Sequence, residues 1–353
     1  MRICFLEGDM SRQGGTERMT ALLANVLAAH YDVWVIGLKQ SWDAVFFPLS
    51  ETVHYRVLTE AHGKRGILRQ IREIHRFIKA EHIDCVINVD VGMGFYGVLA
   101  ARGTGAKVIT WEHGNFFNNW GSRIFPYLRR FAAKHSDALV VLTRQDRENY
   151  ETHLPRCAPV YVIPNPASPH PFTYRADSRT ILSAGLLLPI KGYDRAVELA
   201  KRLFPSRPGW QWVICGEGPE RENLERAIGE AGLTGRVLLP GTVRDMDRQY
   251  QDAALFVMTS HMEGLPMVLL EAKSWGLPLV SFDIETGPRD IISDGVNGCL
   301  VRPNDLEEMA EKLAALMDSE PLRRQYSAQS QVGMEAFAWE QILKAWQALL
   351  ERI

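Results

Sequence analysis

The chain has 353 residues, of which 46% are hydrophobic and 23% charged, and its formal net charge is −2. A chain of this length fits two α/β domains, and its composition is that of a globular protein and excludes a disordered or fibrous chain. The first 168 residues carry a charge of +4, from 20 Lys and Arg against 16 Asp and Glu. So small an excess of positive charge argues against a nucleic-acid-binding protein.

Five scattered cysteines occur, and none of them forms a Cys-x-x-Cys pair. Neither a disulfide framework nor a zinc site is therefore predicted, which favours a reducing cytoplasm. The apolar run at the N-terminus is too short for a signal peptide, and no run approaches the roughly 18–20 apolar residues of a membrane span. We expect a soluble cytoplasmic protein that can still touch the inner face of a membrane.

Short β-rich runs alternate with helical periodicity through the first half, a pattern typical of βαβ units and a parallel sheet. A loop with Gly14 and Gly15 follows the first strand and precedes a helix over residues 16–30. The strands predicted in this half are residues 2–6, 33–38, 85–88, 107–111, 138–142 and 160–163.

Residues 163–171 hold four prolines, which cannot continue a helix or a central strand, so they predict a linker. The alternation then restarts with strands over residues 180–184, 211–215, 237–239, 255–258 and 279–282, and helices over 193–203, over 220–231 and from about 266. We expect domains at 1–168 and 169–335, with a cleft between them. The amphipathic segment 336–353 is expected to pack back toward the N-terminal domain, with Trp339 and Trp346 in the core.

The most informative segment runs from Glu263 to Glu271, between a buried strand and a helix that starts near Pro266. Gly264 lets the backbone come close to a ligand, and the free N–H groups of the helix start make an anion site that fits a diphosphate. Carboxylates at such a site suit a sugar, because a carboxylate accepts hydrogen bonds from two hydroxyls. The segment predicts a nucleotide-sugar site.

At this point the chain resembles the retaining family 4 glycosyltransferases, which have the GT-B fold of two Rossmann-like parallel-sheet domains. The resemblance rests on Glu263-x7-Glu271 within EGLPMVLLEAKSWGLPLVS. Further marks fall in the expected order, namely GGTE at 14–17, WEHGN at 111–115, VIPNP at 162–166, KG at 191–192 and CGEGPE at 215–220.

The resemblance implies a role for each matched residue. Glu271 would hold the ribose hydroxyls, Glu263 would face the donor sugar, and Lys191 would neutralise the diphosphate. Backbone amides of the segment after Glu263 would lie near the sugar and phosphate; they belong to Gly264, Leu265, Pro266 (which has no N–H itself) and Met267. Gly14 and Gly15 would approach the donor phosphates, and His113 would line the sugar subsite.

One position departs from the family pattern. The family has an arginine directly after the glycine of SAG, where this chain has Leu186. A leucine cannot stabilise a leaving diphosphate, so either Arg244 or Arg289 replaces the missing cation, or donor activation is weakened. We expect Arg244 among the donor-binding residues.

The implied reaction moves a sugar from a nucleotide diphosphate, a UDP-sugar by expectation, to a glycan or lipid-linked acceptor in cell-surface polysaccharide or lipopolysaccharide assembly. Same-face attack, with the leaving phosphate helping to deprotonate the acceptor, needs no protein base, cofactor or metal. Two alternatives stay open: a non-catalytic nucleotide-sugar-binding subunit, and a GT-B-like sugar-nucleotide epimerase. An NAD dehydrogenase is disfavoured, since no Gly-x-Gly-x-x-Gly follows the first strand.

Weaker signals have plainer interpretations. Asp245-x-Asp247 matches a metal-binding pattern, but its place after a turn favours a solvated loop or a helix start. Arg65, Arg69, Arg72, Arg76 and Lys79 recur on one face of a helix beside an isoleucine stripe. They indicate either a solvated face or contact with an anionic membrane. A second basic cluster, with Arg123, Arg129, Arg130 and Lys134 among aromatic residues, extends the membrane or acceptor hypothesis.

Overall fold

A computed structural model describes residues 1–58 and 63–353, and side chains from residue 66 onward in the second range. It divides into two compact units, one of Met1–Asn165 with Glu340–Ile353 and one of Pro166–Trp339. The first break lies three residues before the expected boundary at 168, and the C-terminal helix belongs to the first unit. No helix in the described ranges is long and apolar enough to cross a membrane.

The first unit is built on a seven-stranded parallel sheet in the order β3-β2-β1-β4-β5-β6-β7. Its strands are β1 Arg2–Glu7, β2 Asp32–Gly37, β3 Val53–Val57, β4 Cys85–Val89, β5 Lys107–Trp111, β6 Ala138–Val141 and β7 Val160–Val162. Its helices are α1 Gly15–Leu27, α2 Gly63–Ala80, α3 Val91–Ala101, α4 Phe125–His135 and α5 Arg144–His153.

The second unit holds a six-stranded parallel sheet in the order β10-β9-β8-β11-β12-β13. Its strands are β8 Thr180–Ala184, β9 Gln211–Cys215, β10 Val237–Gly241, β11 Leu255–Met258, β12 Leu279–Phe282 and β13 Gly298–Val301. Its helices are α6 Tyr193–Leu203, α7 Arg221–Glu230, α8 Met246–Asp252, α9 Met267–Ser274, α10 Pro288–Ile291, α11 Leu306–Asp318 and α12 Glu320–Ala328, and the last helix of the chain is α13 Trp339–Arg352.

Both sheets start from a central strand, extend to one side, and then reverse to the other, which is the Rossmann order. The central strands β4 and β11 are buried at every residue, because helices cover both faces of a parallel sheet. In the first unit, Trp346 of α13 is 1% exposed and packs edge-on against Trp111, with 5.2 Å between the centroids of the two rings. The expected fold of two Rossmann-like domains is confirmed.

The elements predicted from periodicity lie where they were expected. Most of their ends differ from the prediction by no more than two residues. The strands β3 and β13 have no counterpart in the prediction. Alternate residues of β3 are exposed, so it does not read as a buried apolar run, and β13 opens on a glycine. Asp245 begins α8, where its side chain accepts a hydrogen bond from Arg248 N at 3.1 Å, as the helix-start interpretation requires.

Candidate functional site

The second sheet reverses its strand order between β8 and β11, which are neighbours. In open α/β sheets, ligands bind beyond the carboxyl ends of the strands at this point, because the two following loops diverge there. The loops that follow these strands here are residues 185–192 and 259–266. They carry Lys191 and Glu263, two of the residues predicted to act on the donor.

Lys191 and Glu263 form an ion pair between these two loops. Lys191 Nζ lies 2.7 Å from Glu263 Oε1 and 3.0 Å from Oε2. The side chains are 23% and 12% exposed, so the pair is partly screened from water but open to a ligand. The structure therefore brings together two residues that are 72 positions apart in the sequence.

Backbone contacts hold the lysine loop against the glutamate loop. His261 N donates to Ile190 O at 2.8 Å, and Thr259 Oγ1 donates to Lys191 O at 3.1 Å. Gly192 has φ of 63°, and a Cβ there would lie 2.4 Å from Thr259 O. Only glycine fits this left-handed and crowded position, so the Lys-Gly pair has a steric reason.

The surroundings of Glu263 fix its carboxylate and its backbone. Ser260 Oγ donates to Glu263 Oε1 at 2.6 Å, and Thr286 Oγ1 donates to the Glu263 carbonyl. Gly287 has φ of 99°, and a Cβ added to it would lie 2.4 Å from Pro266 Cδ. Glycine at this position therefore allows the loop after β12 to pack against the turn that carries Glu263 and Pro266. The sequence signal for Glu263 did not extend to Thr286, which reaches the site from the loop after β12.

The start of α9 lies directly after this turn. Pro266 occupies the N-cap position with no side-chain cap, and Leu269 N at 3.0 Å is the first amide to donate back to Pro266 O. The amides of Met267 and Val268 therefore precede the intrahelical ladder. Gly264 and Met267 are partly exposed, whereas Leu265 and Pro266 are buried. Amides ahead of the ladder and the positive end of the helix dipole together suit an anion.

Glu271 lies on α9, just over one turn beyond its start, and is partly exposed. Tyr250 of α8 is 2% exposed, and its hydroxyl donates to Glu271 Oε2 at 2.8 Å. Sequence reasoning missed Tyr250, since a lone tyrosine in a helix is usually a core residue. Its hydroxyl fixes one carboxylate oxygen, which orients the carboxylate for a ligand hydroxyl.

The cations expected to replace the missing arginine differ in how they are engaged. Leu186 is 50% exposed at the end of β8, so no cation stands at that position. Arg289 Nε donates to Asp283 Oδ1 at 2.9 Å, and a second nitrogen contacts Oδ2. The hydrogen bonds to Asp283 raise the pKa of Arg289. Arg244 is exposed and forms no ion pair with any residue that the structure describes.

Comparison with known proteins gives the family. A model described as "Glycosyltransferase Family 4" matches residues 13–170, and one described as "Glycosyl transferases group 1" matches residues 169–332. The two matches overlap by two residues and together span residues 13–332. The chain belongs to the family 4 glycosyltransferases of the GT-B fold.

Individual relatives match over full length. An uncharacterised glycosyltransferase of Haemophilus influenzae is 28% identical over 354 residues, which cover 99% of each chain. The amylovoran biosynthesis glycosyltransferase AmsD of Erwinia amylovora is 27% identical over 361 residues, again 99% of each chain. The structure of Anabaena Alr3699/HepE in complex with UDP and glucose superposes with a TM-score of 0.85 over 100% of both chains, at 17% identity.

The first unit of the glycosyltransferase carries the glycine loop predicted to meet the donor phosphates. Gly14 is the N-cap of α1, and a Cβ there would lie 2.1 Å from Glu17 Oε2. A Cβ at Gly15 would meet nothing within 4 Å. A side chain at position 14 would therefore displace the buried carboxylate of Glu17, whereas one at position 15 meets no part of the chain, and the approach of Gly15 to the donor stays a prediction.

His113 follows β5, half-buried, with its ring 4.1 Å from that of Trp111. Its Nε2 atom is buried and has no hydrogen-bond partner among the described residues. Burial lowers the pKa of His113 to about 3, so the ring is neutral at physiological pH. Its role at the sugar subsite stays a prediction.

The basic residues predicted to meet a membrane or acceptor divide into two groups. Arg69, Arg72, Arg76 and Lys79 are exposed on α2, while Ile74 and Ile78 of the same helix are buried. The side chain of Arg65 lies outside the described residues.

Arg129 corrects the prediction for the second cluster, because it is 3% exposed and cannot lie on a membrane surface. Its guanidinium donates to Asn119 Oδ1 at 2.8 Å and to the carbonyl of Asn118, and it lies 3.7 Å from Glu112 Oε2. The alternation of cations and aromatic residues in this segment predicts an amphipathic helix with Arg129 at the surface. In the fold it ties the loop before α4 to the end of β5, whereas Arg130 next to it is exposed.

Proposed function

We propose that the enzyme is a retaining glycosyltransferase that moves a sugar from a UDP-sugar to a glycan or lipid-linked acceptor in cell-surface polysaccharide assembly. The ion pair of Lys191 and Glu263 at the start of α9 carries the proposal. The name of the Erwinia relative refers to amylovoran biosynthesis, and the Anabaena neighbour binds UDP and glucose; both support this donor and acceptor class.

The proposed nucleotide subsite uses Glu271. A carboxylate accepts several hydrogen bonds, and the hydroxyl of Tyr250 donates one of them to Glu271 Oε2 at 2.8 Å. The remaining oxygen lone pairs can accept the two ribose hydroxyls. Binding through hydroxyls fits a ribonucleotide and gives Glu271 a role in affinity rather than in bond breaking.

The proposed leaving-group subsite combines Lys191 with the amides at the start of α9. Cleavage of the glycosyl–phosphate bond develops negative charge on the diphosphate, and preorganised N–H groups and cations lower that barrier. Lys191 has three N–H donors, so it can hold Glu263 and a phosphate oxygen together. We propose that Arg244 supplies the second cation, because Arg289 is engaged by Asp283.

The proposed stereochemical course follows from how Glu263 is held. Lys191 contacts both of its oxygens, and Ser260 donates to Oε1. The carboxylate is thereby fixed to orient the donor sugar rather than to abstract a proton. Attack from the face of the leaving phosphate, which accepts the acceptor's proton, retains the anomeric configuration without a protein base.

A second candidate function is a nucleotide-sugar-binding subunit without turnover. Leu186 motivates it, since the position that carries a cation in the family is here an exposed apolar side chain. Both candidates place the protein in the cytoplasm at the inner face of the membrane, where a lipid-linked acceptor is reached.

The test is incubation of the purified chain with a panel of nucleotide-sugars, with NMR assignment of the anomeric configuration of any product. We expect slow hydrolysis or transfer from one UDP-sugar with retention. Glu271→Ala is the control, and it should weaken binding of UDP at least about tenfold. Tight binding with no turnover of any donor would support the second candidate, and an inverted product would overturn the retaining course.

A further inference from the structure

Two adjoining cavities lie along α4 and α5 in the first unit, and together they form what we name the basic groove. One cavity of about 280 Å³ is lined by Arg130, Lys134, His153 and Arg156 among others. The second, of about 300 Å³, shares Arg130 and His153 with the first. The groove is thus one continuous feature that no part of the sugar-transfer chemistry uses.

The basic groove carries positive charge with no local compensation. Arg130, Lys134 and Arg156 are exposed, and none of them forms an ion pair within residues 1–58 and 66–353. No carboxylate lines either cavity. Arg69 on α2, by contrast, pairs with Glu73 at 2.9 Å. Cations that converge on one cavity repel one another unless an anion binds between them.

A rim of exposed apolar side chains adjoins the groove. Phe117 lines one cavity and is 41% exposed, and the residues that follow it include Trp120 at 58%, Ile124 at 65% and Tyr127 at 75%. Four large apolar side chains are thus exposed within eleven residues, an arrangement that water alone does not favour. Tryptophan and tyrosine beside cations are typical of surfaces that sit at a membrane interface.

The loop that carries this rim is held in a fixed conformation. The buried Arg129 binds Asn119 and the carbonyl of Asn118. Trp120 has φ of 49°, a left-handed conformation that is uncommon for a bulky residue, and its N–H donates to Asn118 Oδ1 at 3.0 Å. Strain that exposes a tryptophan instead of burying it indicates a function for the exposed side chain.

We infer that the basic groove binds the phosphate headgroup of an anionic membrane lipid, with Trp120, Ile124 and Tyr127 entering the lipid interface beside it. The cations match the charge of the phosphate, and the apolar rim distinguishes a lipid from a free anion. This site goes beyond the proposed sugar transfer and does not depend on it. Helix α2 has far less of the second component, because Ile74 and Ile78 are buried in the core and Leu68 is the one large apolar side chain exposed among its described side chains.

The test is sedimentation of the full chain with two kinds of vesicle. One is phosphatidylcholine alone, and the other contains about 30% phosphatidylglycerol, which makes its surface anionic. The groove variant is Arg130→Gln/Lys134→Gln/Arg156→Gln. The matched control is Arg72→Gln/Arg76→Gln/Lys79→Gln, which removes the same charge from exposed positions of α2. We expect the groove variant to bind anionic vesicles at least about tenfold more weakly, and the control less than about threefold.

A third variant, Trp120→Ser/Tyr127→Ser, keeps every charge and should also weaken vesicle binding. Equal losses in the groove variant and the α2 control would mean that binding follows net charge, and would overturn the site. Unchanged binding by the aromatic variant would overturn the lipid as the ligand and leave a free anion. Because none of these measurements uses a sugar donor, their failure leaves the proposed transferase function intact.

Discussion

The hydroxyl of Tyr250 donates a hydrogen bond of 2.8 Å to Oε2 of Glu271, from a tyrosine that is 2% exposed to a carboxylate that is open to a ligand. A buried donor on α8 therefore sets the direction of an acid on α9. This contact gives Tyr250 a positioning role for the proposed nucleotide subsite.

Tyr250→Phe removes this donor and leaves the ring in place. We expect the dissociation constant of UDP to rise about three- to tenfold, or about 0.7–1.4 kcal/mol, because losing the hydrogen bond that orients Glu271 forfeits part of the roughly 1.5–3 kcal/mol that a hydrogen bond to a charged group contributes. The turnover number should change little, because Glu271 is not proposed to act on the breaking bond. Calorimetric titration with UDP measures the first effect, and unchanged affinity would remove Tyr250 from the site.

Lys191→Ala tests the leaving-group subsite. We expect turnover to fall about 100-fold or more, in the range found when a donor to developing negative charge is removed, with UDP affinity changed less than about threefold. Lys201→Ala, an exposed position on α6, is the control and should behave as wild type. Equal turnover in the two variants would refute the role of Lys191.

Gly15→Ala tests whether the glycine at position 15 serves the fold or the close approach of the donor. A Cβ at this position meets nothing within 4 Å, so the free energy of unfolding should stay equal or rise by about 0.5–1 kcal/mol. If the loop approaches the donor phosphates, the KM for the donor rises. Gly229→Ala in α7 also meets nothing within 4 Å and should gain similar stability with no kinetic change.

Gly192→Ala should act on both stability and turnover. Its φ of 63° and the 2.4 Å approach to Thr259 O make any side chain strained and crowded. We expect a loss of about 1–3 kcal/mol in the free energy of unfolding, with lower activity because Lys191 shifts away from Glu263. Denaturant unfolding gives the first quantity, and a variant as stable as wild type would contradict the steric explanation.

Glu7→Gln should change how stability depends on pH. Burial raises the pKa of Glu7 to about 8 from an ordinary value of 4.5. Between these values the folded chain binds the proton and the unfolded chain releases it, so stability falls as pH rises from about 4.5 to about 8. The variant cannot ionise, so it should be more stable than wild type at pH 8. Parallel pH profiles would contradict this expectation.

Several features of this enzyme follow from the sequence alone. Alternating βαβ periodicity predicts both parallel sheets, because strands buried on two faces and their crossover helices leave strong local patterns. The strand–loop–Gly–Pro–helix context identifies the segment around Glu263, since helix starts have local signals. Family motifs then assign expected roles to Lys191, Glu263 and Glu271.

Only the tertiary structure decided which of these side chains meet. Lys191 pairs with Glu263 across 72 residues, and Tyr250 reaches Glu271 from another helix. Such contacts depend on which strands become neighbours in the sheet, and local residue patterns do not determine the order of the strands. Arg129 shows the same limit, because its spacing predicts an exposed cation, whereas in the fold it is buried 3.7 Å from the carboxylate of Glu112 and donates to Asn119 and the carbonyl of Asn118. Burial of a charged side chain depends on partners distant along the chain, so it appears only when the chain is folded.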